Sequence, residues 1–483
     1  MKDTKINLIL TGGVICSSSL LAQSKPNIVL ILADDMRGTT LEFLEKESVR
    51  TPVLNQFSED CTVFTNAHIM GGNSGAVSMP SRAMLMTGKY LYKLEKQGAV
   101  IPESHTLIGE VLGKAGYQTF HTGKWHNGKA AFNRCFSSGK NIFFGGMADH
   151  WNVPLFGYDP DGQYDNKRRI IKTPYSNNHV DILDGEYVYS GRHSVDIFTE
   201  AAVEFIEEQK NEQKPFFLSV SYMSPHDPRS MPDEFIKPYD PEKIILPDNY
   251  MDKHPFDNGE LTVRDETLAA IPRVKEEIKQ HITDYYAMIS HLDHRIGDII
   301  KALVENDLYD NTIIIFTADN GLAVGQHGLM GKQNVYEHSV HVPLMIKPAC
   351  SDTKRHFTNR LCYLIDLFPS ICEWAGQPIP ESADGISLLP VINENKEVRE
   401  HLYYAYRDFQ RSISNGEWKL IEYHVNENRH TQLFNLKQDP WETKNLSNEK
   451  KQYKRIKQLR NKMLHLKTET GDESGFWDFS HFP

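Results

Sequence analysis

Cysteine is scarce in this chain, with six among 483 residues. Cys16 falls in the first 22 residues, which leaves Cys61, Cys135, Cys350, Cys362 and Cys372. That number is odd, no pair has Cys-x-x-Cys spacing, and no set matches a zinc motif. The expectation is therefore buried thiols, with one or two disulfides at most. Positive charge is also short: 53 Lys+Arg stand against 64 Asp+Glu, a net charge of −11. That balance argues against a nucleic-acid partner. No apolar stretch beyond the first 22 residues is long enough for a transmembrane helix. Low-complexity tracts and internal repeats are missing too, and 40% hydrophobic with 24% charged residues is ordinary for a globular protein.

Residues 1–22 read as a secretory signal peptide. Lys2 and Lys5 precede a weakly apolar run over 6–21, which ends at Ala22-Gln23. Gly12, Gly13, Ser17, Ser18 and Ser19 make the run too polar to span a membrane. Ile15 before Cys16 does not suit lipoprotein cleavage. The expectation is cleavage after Ala22 and a periplasmic or secreted protein.

Five apolar runs read as buried strands: 28–33, 118–121, 216–221, 313–317 and 344–346. Helical patterns lie between them, over 199–208 and over 275–304, where Ile282, Tyr285, Ile289 and Leu292 repeat at helical spacing. Strands alternating with helices predict an α/β fold with a large, mostly parallel sheet flanked by helices. Residues 141–195 read as a loop-rich insertion. After a break at 376–380, runs at 402–406, 411–414, 418–423 and 432–435 predict a small antiparallel sheet, followed by a charged helix near 448–467. The organisation expected is a signal peptide (1–22), a catalytic α/β domain (23–380) and a smaller C-terminal subdomain (381–483).

Four of the strands run into polar groups just past their carboxyl ends. Run 28–33 meets Asp34 and Asp35, and run 313–317 meets Asp319 and Asn320. Run 118–121 leads to Lys124 and His126, and run 216–221 leads to His226. That edge of an open parallel sheet is where ligands bind. Asp34, Asp35, Asp319 and Asn320 offer only hard oxygen ligands, which suit calcium and not a thiolate or imidazole zinc site.

Ser78-Met79-Pro80-Ser81-Arg82, followed by Leu85, Thr87 and Gly88, resembles the signature of type I sulfatases, in the alkaline phosphatase superfamily. Gly123-Lys124-Trp125-His126 resembles that family's second signature. The resemblance covers residues 25 to about 446. It implies that Ser78 is oxidised to formylglycine by an anaerobic radical SAM maturase, since serine stands where cysteine is commoner. One hydroxyl of the hydrated aldehyde attacks sulfur, and the other expels sulfate by C–O cleavage. It also implies one Ca2+ held by Asp34, Asp35, Asp319 and Asn320, together with an oxygen of residue 78. Arg82 and Lys124 would hold sulfate, and His126 would take a proton from the diol. His226 would act as general acid, and Lys332 would contact sulfate and the leaving oxygen. Asp293, His121, His327, His338 and His341 read as packing or supporting groups.

The sequence reading is thus an exported, calcium-dependent sulfatase acting on a terminal sugar of a sulfated glycan. Substrate choice is expected in 141–195 and 401–430. Lys167, Arg168 and Arg169 are candidates for meeting an acidic glycan, although a basic triplet in a loop is usually just solvated. An arylsulfatase, a two-zinc phosphomonoesterase and a non-catalytic sulfoglycan binder remain as alternatives.

Overall fold

The computed structural model describes residues 25–475 and 477, apart from 172, 174, 352 and 353; the signal segment expected at 1–22 lies outside them. Eight strands form the large sheet. They are β1 (Asn27–Ala33), β2 (Thr62–Phe64), β3 (Gln118–Lys124), β4 (Ser138–Phe143), β5 (Phe216–Ser221), β6 (Thr312–Ala318), β7 (Leu344–Lys347) and β8 (His356–Thr358). Their spatial order is β8-β2-β7-β6-β1-β5-β3-β4. Every residue of β1, β5 and β6 is buried, as unbroken apolar strands require when both faces are covered.

Strand β1 pairs in parallel with β6 and β5, and β3 pairs in parallel with β5 and β4. β7 departs from this, running antiparallel to both β6 and β2. A parallel return needs a long crossover, usually a helix. Between β6 and β7 the only helix is the four-residue Glu337–Val340, so the chain turns straight back along the sheet.

The longer helices include α1 (Ser78–Thr87), α2 (Ser194–Glu208), α3 (Lys275–Glu305) and α4 (Tyr453–Glu469). α3 buries Ile282, Tyr285, Ile289, Leu292, Ile296 and Leu303 at helical spacing. Its Asp293 accepts hydrogen bonds from Val53 N (3.1 Å) and Leu54 N (2.8 Å), satisfying the open start of the short helix Pro52–Phe57. Asp293 is thus a structural group.

The small sheet is an antiparallel meander of β9 (Leu402–Tyr406), β10 (Gln410–Ser414), β11 (Trp418–Val425) and β12 (Asn428–Asn435). α4 packs against β9, β10 and β11. A fifth strand comes from far away in sequence: Gly71–Gly72 pairs in parallel with Ala405 and Tyr406. Gly71 has φ +96°, and a Cβ there would stand 2.1 Å from the Ala405 carbonyl oxygen. Only glycine fits so close an approach.

The segment 141–195 is mostly irregular and carries a two-stranded hairpin, Lys167–Ile170 with Asp181–Asp184. The five cysteines among the described residues are free thiols, with Cys61, Cys135, Cys362 and Cys372 buried and Cys350 exposed. The disulfides allowed for by the sequence do not form. Among the described residues no helix is long and apolar enough to cross a membrane.

Candidate active site

The carboxyl ends of β1, β3, β5 and β6 converge with the start of α1. Ser78 opens that helix and is 2% exposed. Its Oγ lies 3.1 Å from Asp34 Oδ1, 3.3 Å from Asn320 Oδ1 and 3.3 Å from Lys332 Nζ. Pro80 sits in the first turn, where a missing N–H goes unneeded. The helix thus aims its positive end and free amide groups at the site. Ser81 holds the helix in place, its hydroxyl donating to the Asp319 carbonyl at 2.5 Å.

Arg82 knits three strand ends together. Its Nε donates to Asp319 Oδ2 at 2.7 Å, and Nη1 donates to the Lys124 carbonyl at 2.9 Å and to the Ser221 hydroxyl. Gly123, with φ +101°, lets β3 lie tight against β5, where a Cβ would meet Ser221 O at 1.9 Å, while its register with β4 shifts between His121 and Gly123. Lys124 is thereby delivered to Asp34, with which it is ion-paired. Trp125 anchors the turn through Nε1 to Gly128 O at 2.7 Å, packed on His121, Phe132 and Phe136. His121 is a packing residue bonded to Ser219 Oγ at 3.0 Å.

Asp34, Asp35, Asp319 and Asn320 are all at most 1% exposed. Asn320 Nδ2 donates to Asp35 Oδ1 at 2.7 Å, and Lys332 Nζ reaches the same oxygen at 2.5 Å. Asp35 Oδ2 is buried with no hydrogen-bond partner. Burial pushes the Asp34 carboxyl up, but Lys124 and Arg82 outweigh it and hold it well below the carboxylate range. Burial raises Asp35 to about 6 against the pull of Lys332. Burial, with Asp34 beside it, raises Asp319 to about 6. Carboxylates this crowded and dehydrated resist ionisation together. An orphaned carboxylate oxygen among hard oxygen donors fits a cation of the calcium type.

His226 Nδ1 is 2.7 Å from the Asp227 carbonyl oxygen, and Nε2 lies 3.7 Å from Asp35 Oδ2. A carbonyl can only accept, so Nδ1 carries the hydrogen and Nε2 is left for the pocket. Burial, then Lys332, lowers His226 to about 4. His126 is half-buried and adopts φ +73°, and its buried Nδ1 has no partner. Burial and Lys124 hold it well below the usual imidazole range, so it is neutral at pH 7. Asp34, Asp35 and His226 offer ligand atoms within 4.8 Å of one another.

Ser78, Lys124, His126, His226 and Lys332 line one pocket of about 300 Å³. All ten residues singled out from the sequence meet at this site. The pocket's outer wall is made by Gly146, Met147, Arg264, Asp265 and Gln333, none of them named individually from the sequence. Arg264 is ion-paired with Asp227 and, at 2.7 Å, with Asp265. Gln333 donates to Asp265 Oδ2 at 2.8 Å. Gly146 and Met147 fall within 141–195, the insertion expected to carry substrate choice, and Gln333 stands next to Lys332; Arg264 and Asp265, in a short 3-10 helix with no long-range periodicity, had no signal. The Lys167–Arg169 triplet lies on the exposed hairpin strand, with Lys167 paired to Asp184. His327, His338 and His341 lie elsewhere, lining cavities where the two sheets meet.

A buried serine at a helix start, hard oxygen donors and three buried cations at the carboxyl edge of such a sheet fit a hydrolase of the alkaline phosphatase superfamily. The chain belongs to the sulfatase family, which its residues 26–377 match, and is a sulfuric ester hydrolase. Residues 325–469 also match the family described as N-sulphoglucosamine sulphohydrolase, C-terminal. The chain is 27% identical over 486 residues to an arylsulfatase of Clostridium perfringens, covering 94% of this chain and 96% of that protein. It is 24% identical over 507 residues to an N-acetylglucosamine-6-O-sulfatase of Bacteroides thetaiotaomicron, covering 90% and 85%. A protein solved in complex with its substrate D-glucosamine-2-N,6-O-disulfate shares the fold at TM-score 0.71 and 21% identity, over 93% of this chain and 99% of that one.

Proposed function

We propose that this protein is an exported, calcium-dependent sulfatase that hydrolyses an O-sulfate ester on a terminal sugar of a sulfated glycan. The observation that carries the reading is Ser78 at the start of α1, its Oγ within 3.3 Å of Asp34, Asn320 and Lys332 on the pocket floor. A formylglycine hydrate at position 78 would supply a nucleophile able to release sulfate by C–O cleavage, which a plain serine lacks. Asp34, Asp35, Asp319 and Asn320 would hold Ca2+, which when bound lowers the nucleophile's pKa and neutralises sulfuryl charge.

The chain's own residues divide the remaining work. Arg82 is held rigid by Asp319 and the Lys124 carbonyl, and Lys124 and Lys332 flank residue 78 as donors for sulfate oxygens. His226 is the general acid. Nδ1–H is fixed on Asp227 O, so Nε2 alone can present a proton to the ester oxygen as the S–O bond breaks. Its low resting pKa is raised when the sulfate anion replaces water beside it. His126, neutral and without a partner at Nδ1, takes the proton that residue 78 gives up when sulfate leaves.

The maturase enters as a requirement of this reading. Protein co-produced with a radical SAM sulfatase maturase should carry a Ser78 peptide about 2 Da lighter, the loss of two hydrogens. It should release sulfate from sulfated sugars and bind one calcium per chain. Full activity from unmodified serine, or two zinc ions with faster turnover of phosphate monoesters, would overturn the proposal.

A further inference from the structure

We propose that the groove beside the catalytic pocket is a subsite for an uncharged sugar unit adjoining the one that bears the sulfate. This rests on the sulfatase reading and deepens it. Met147, 44% exposed, lines both the catalytic pocket and a larger groove of about 880 Å³. The partition between them is thin. A Cβ on Gly146 would stand 2.8 Å from His126 Nε2, so only backbone separates the two spaces there.

Phe144, Pro154, Ile170, Ile171 and Leu183 give the groove apolar walls. Its charged groups are already matched. Lys129 Nζ donates to Asp184 Oδ2 at 2.8 Å and to Tyr164 O at 2.6 Å. Asp184 is also paired with Lys167. Asp149 accepts from Trp151 N at 3.0 Å and from Asn152 Nδ2 at 2.7 Å. Lys129 and Lys167 are both engaged by Asp184, so among the described residues the groove's lining leaves no unpaired cation to hold a second anion. The contrast with the sulfate pocket, built on Arg82, Lys124 and Lys332, is complete. The C–H face of a neutral pyranose gains by covering these apolar walls. A uronate or a second sulfate would be stripped of water beside an acid.

The test uses the maturase-treated protein and monosulfated hexoses and hexosamines. Each is offered alone, linked to a neutral hexose, and linked to a hexuronic acid. The neutral disaccharide should show a kcat/KM about tenfold above the monosaccharide, the gain from covering roughly one sugar face. The acidic disaccharide should fall below both. Ile171→Asp, at a position 46% exposed, should erase the neutral disaccharide's advantage and leave monosaccharide turnover unchanged. Ile171→Lys should raise turnover of the acidic disaccharide. Equal handling of mono- and disaccharides, a preference for the acidic neighbour, or equal losses on both substrates in Ile171→Asp would overturn the subsite. If no sugar sulfate is hydrolysed, the sulfatase reading fails by itself. The subsite is then judged by binding of the same probes to Ser78→Ala protein, where tighter binding of the neutral disaccharide upholds it and its absence overturns it.

Discussion

Two buried charged clusters, one at the carboxyl edge of the large sheet and one at the seam between the sheets, use similar residues for different ends. At the seam Lys419, 0% exposed, is ion-paired with Glu337 Oε1 at 2.7 Å and Glu442 Oε1 at 3.0 Å. Glu337 Oε2 in turn meets His68 Nε2 at 3.1 Å. At the catalytic edge Lys124 and Lys332 make equivalent pairs with Asp34 and Asp35. The seam cluster ties β11 to the short helix before β7, with Lys419 Nζ over the Tyr404 ring. Each cluster borders a cavity and leaves one carboxylate oxygen without a hydrogen bond, Asp35 Oδ2 at the edge and Glu442 Oε1 at the seam, but it is the edge cluster that meets the start of the longer helix α1. Buried charge, even with such an oxygen beside a cavity, does not mark a site, since Glu442 at the seam has both; the edge differs in setting its carboxylates against Ser78 at a helix start.

The comparison can be broken most severely at His226. His226→Ala should slow release from a sugar sulfate by ~10²–10⁴-fold, because a sugar alkoxide leaves poorly without a proton. A nitrophenyl sulfate, whose leaving group needs no proton, should lose far less. Steady-state rates on the two substrates decide it, and equal losses, with a selective loss in Lys332→Ala, would move the acid to Lys332. The second test belongs to the seam. Lys419→Met strands Glu337 and Glu442 in the interior and should destabilise the protein by about 3–5 kcal/mol in denaturant unfolding. Activity per folded molecule should hold, and a selective loss of activity would show that the seam also serves the site.

The third test separates the clusters by metal. Calcium at 100 times its Kd should stabilise the protein by about 2.7 kcal/mol, and Asp319→Ala should abolish the shift. An equal calcium shift in Asp319→Ala would place the ion elsewhere. The smallest effect is in pH dependence. Burial, followed by neighbouring positive groups, lowers His327 to about 3 and His341 to about 4. Unfolded, each titrates near 6.5. Between those values the unfolded chain binds more protons, so stability is full above pH 6.5 and falls as the pH drops toward 4. Each histidine adds a slope of about 1.4 kcal/mol per pH unit. His341→Gln should remove one such increment, measured by unfolding from pH 7 to 4.5, and an unchanged slope would mean His341 is charged in the folded state.

Much of the fold and the site was legible because short-range rules applied. Continuous apolar runs identified β1, β5 and β6, and the charged residues after them marked the edge where the site forms. What was hidden depended on contacts distant in sequence. The short β2 and β8 lack a pattern of their own; β2 is a strand because β7 offers it an edge, and β8 because β2 offers the next. Nothing in a two-glycine run announces that Gly71–Gly72 will join the small sheet. Arg264 and Asp265 reached the pocket through the irregular stretch before α3, which no periodicity describes.

The strand Gly71–Gly72 has a consequence in time. It stands just ahead of Ser78, yet its partner Ala405 is synthesised roughly 330 residues later, about 15–65 s at 5–20 residues per second. The entry to the nucleophile's helix cannot take its final neighbours before then. On the proposed reading, a modifying enzyme would meet residue 78 before that pairing forms, and the rate at which the small sheet folds would set how long oxidation has to occur.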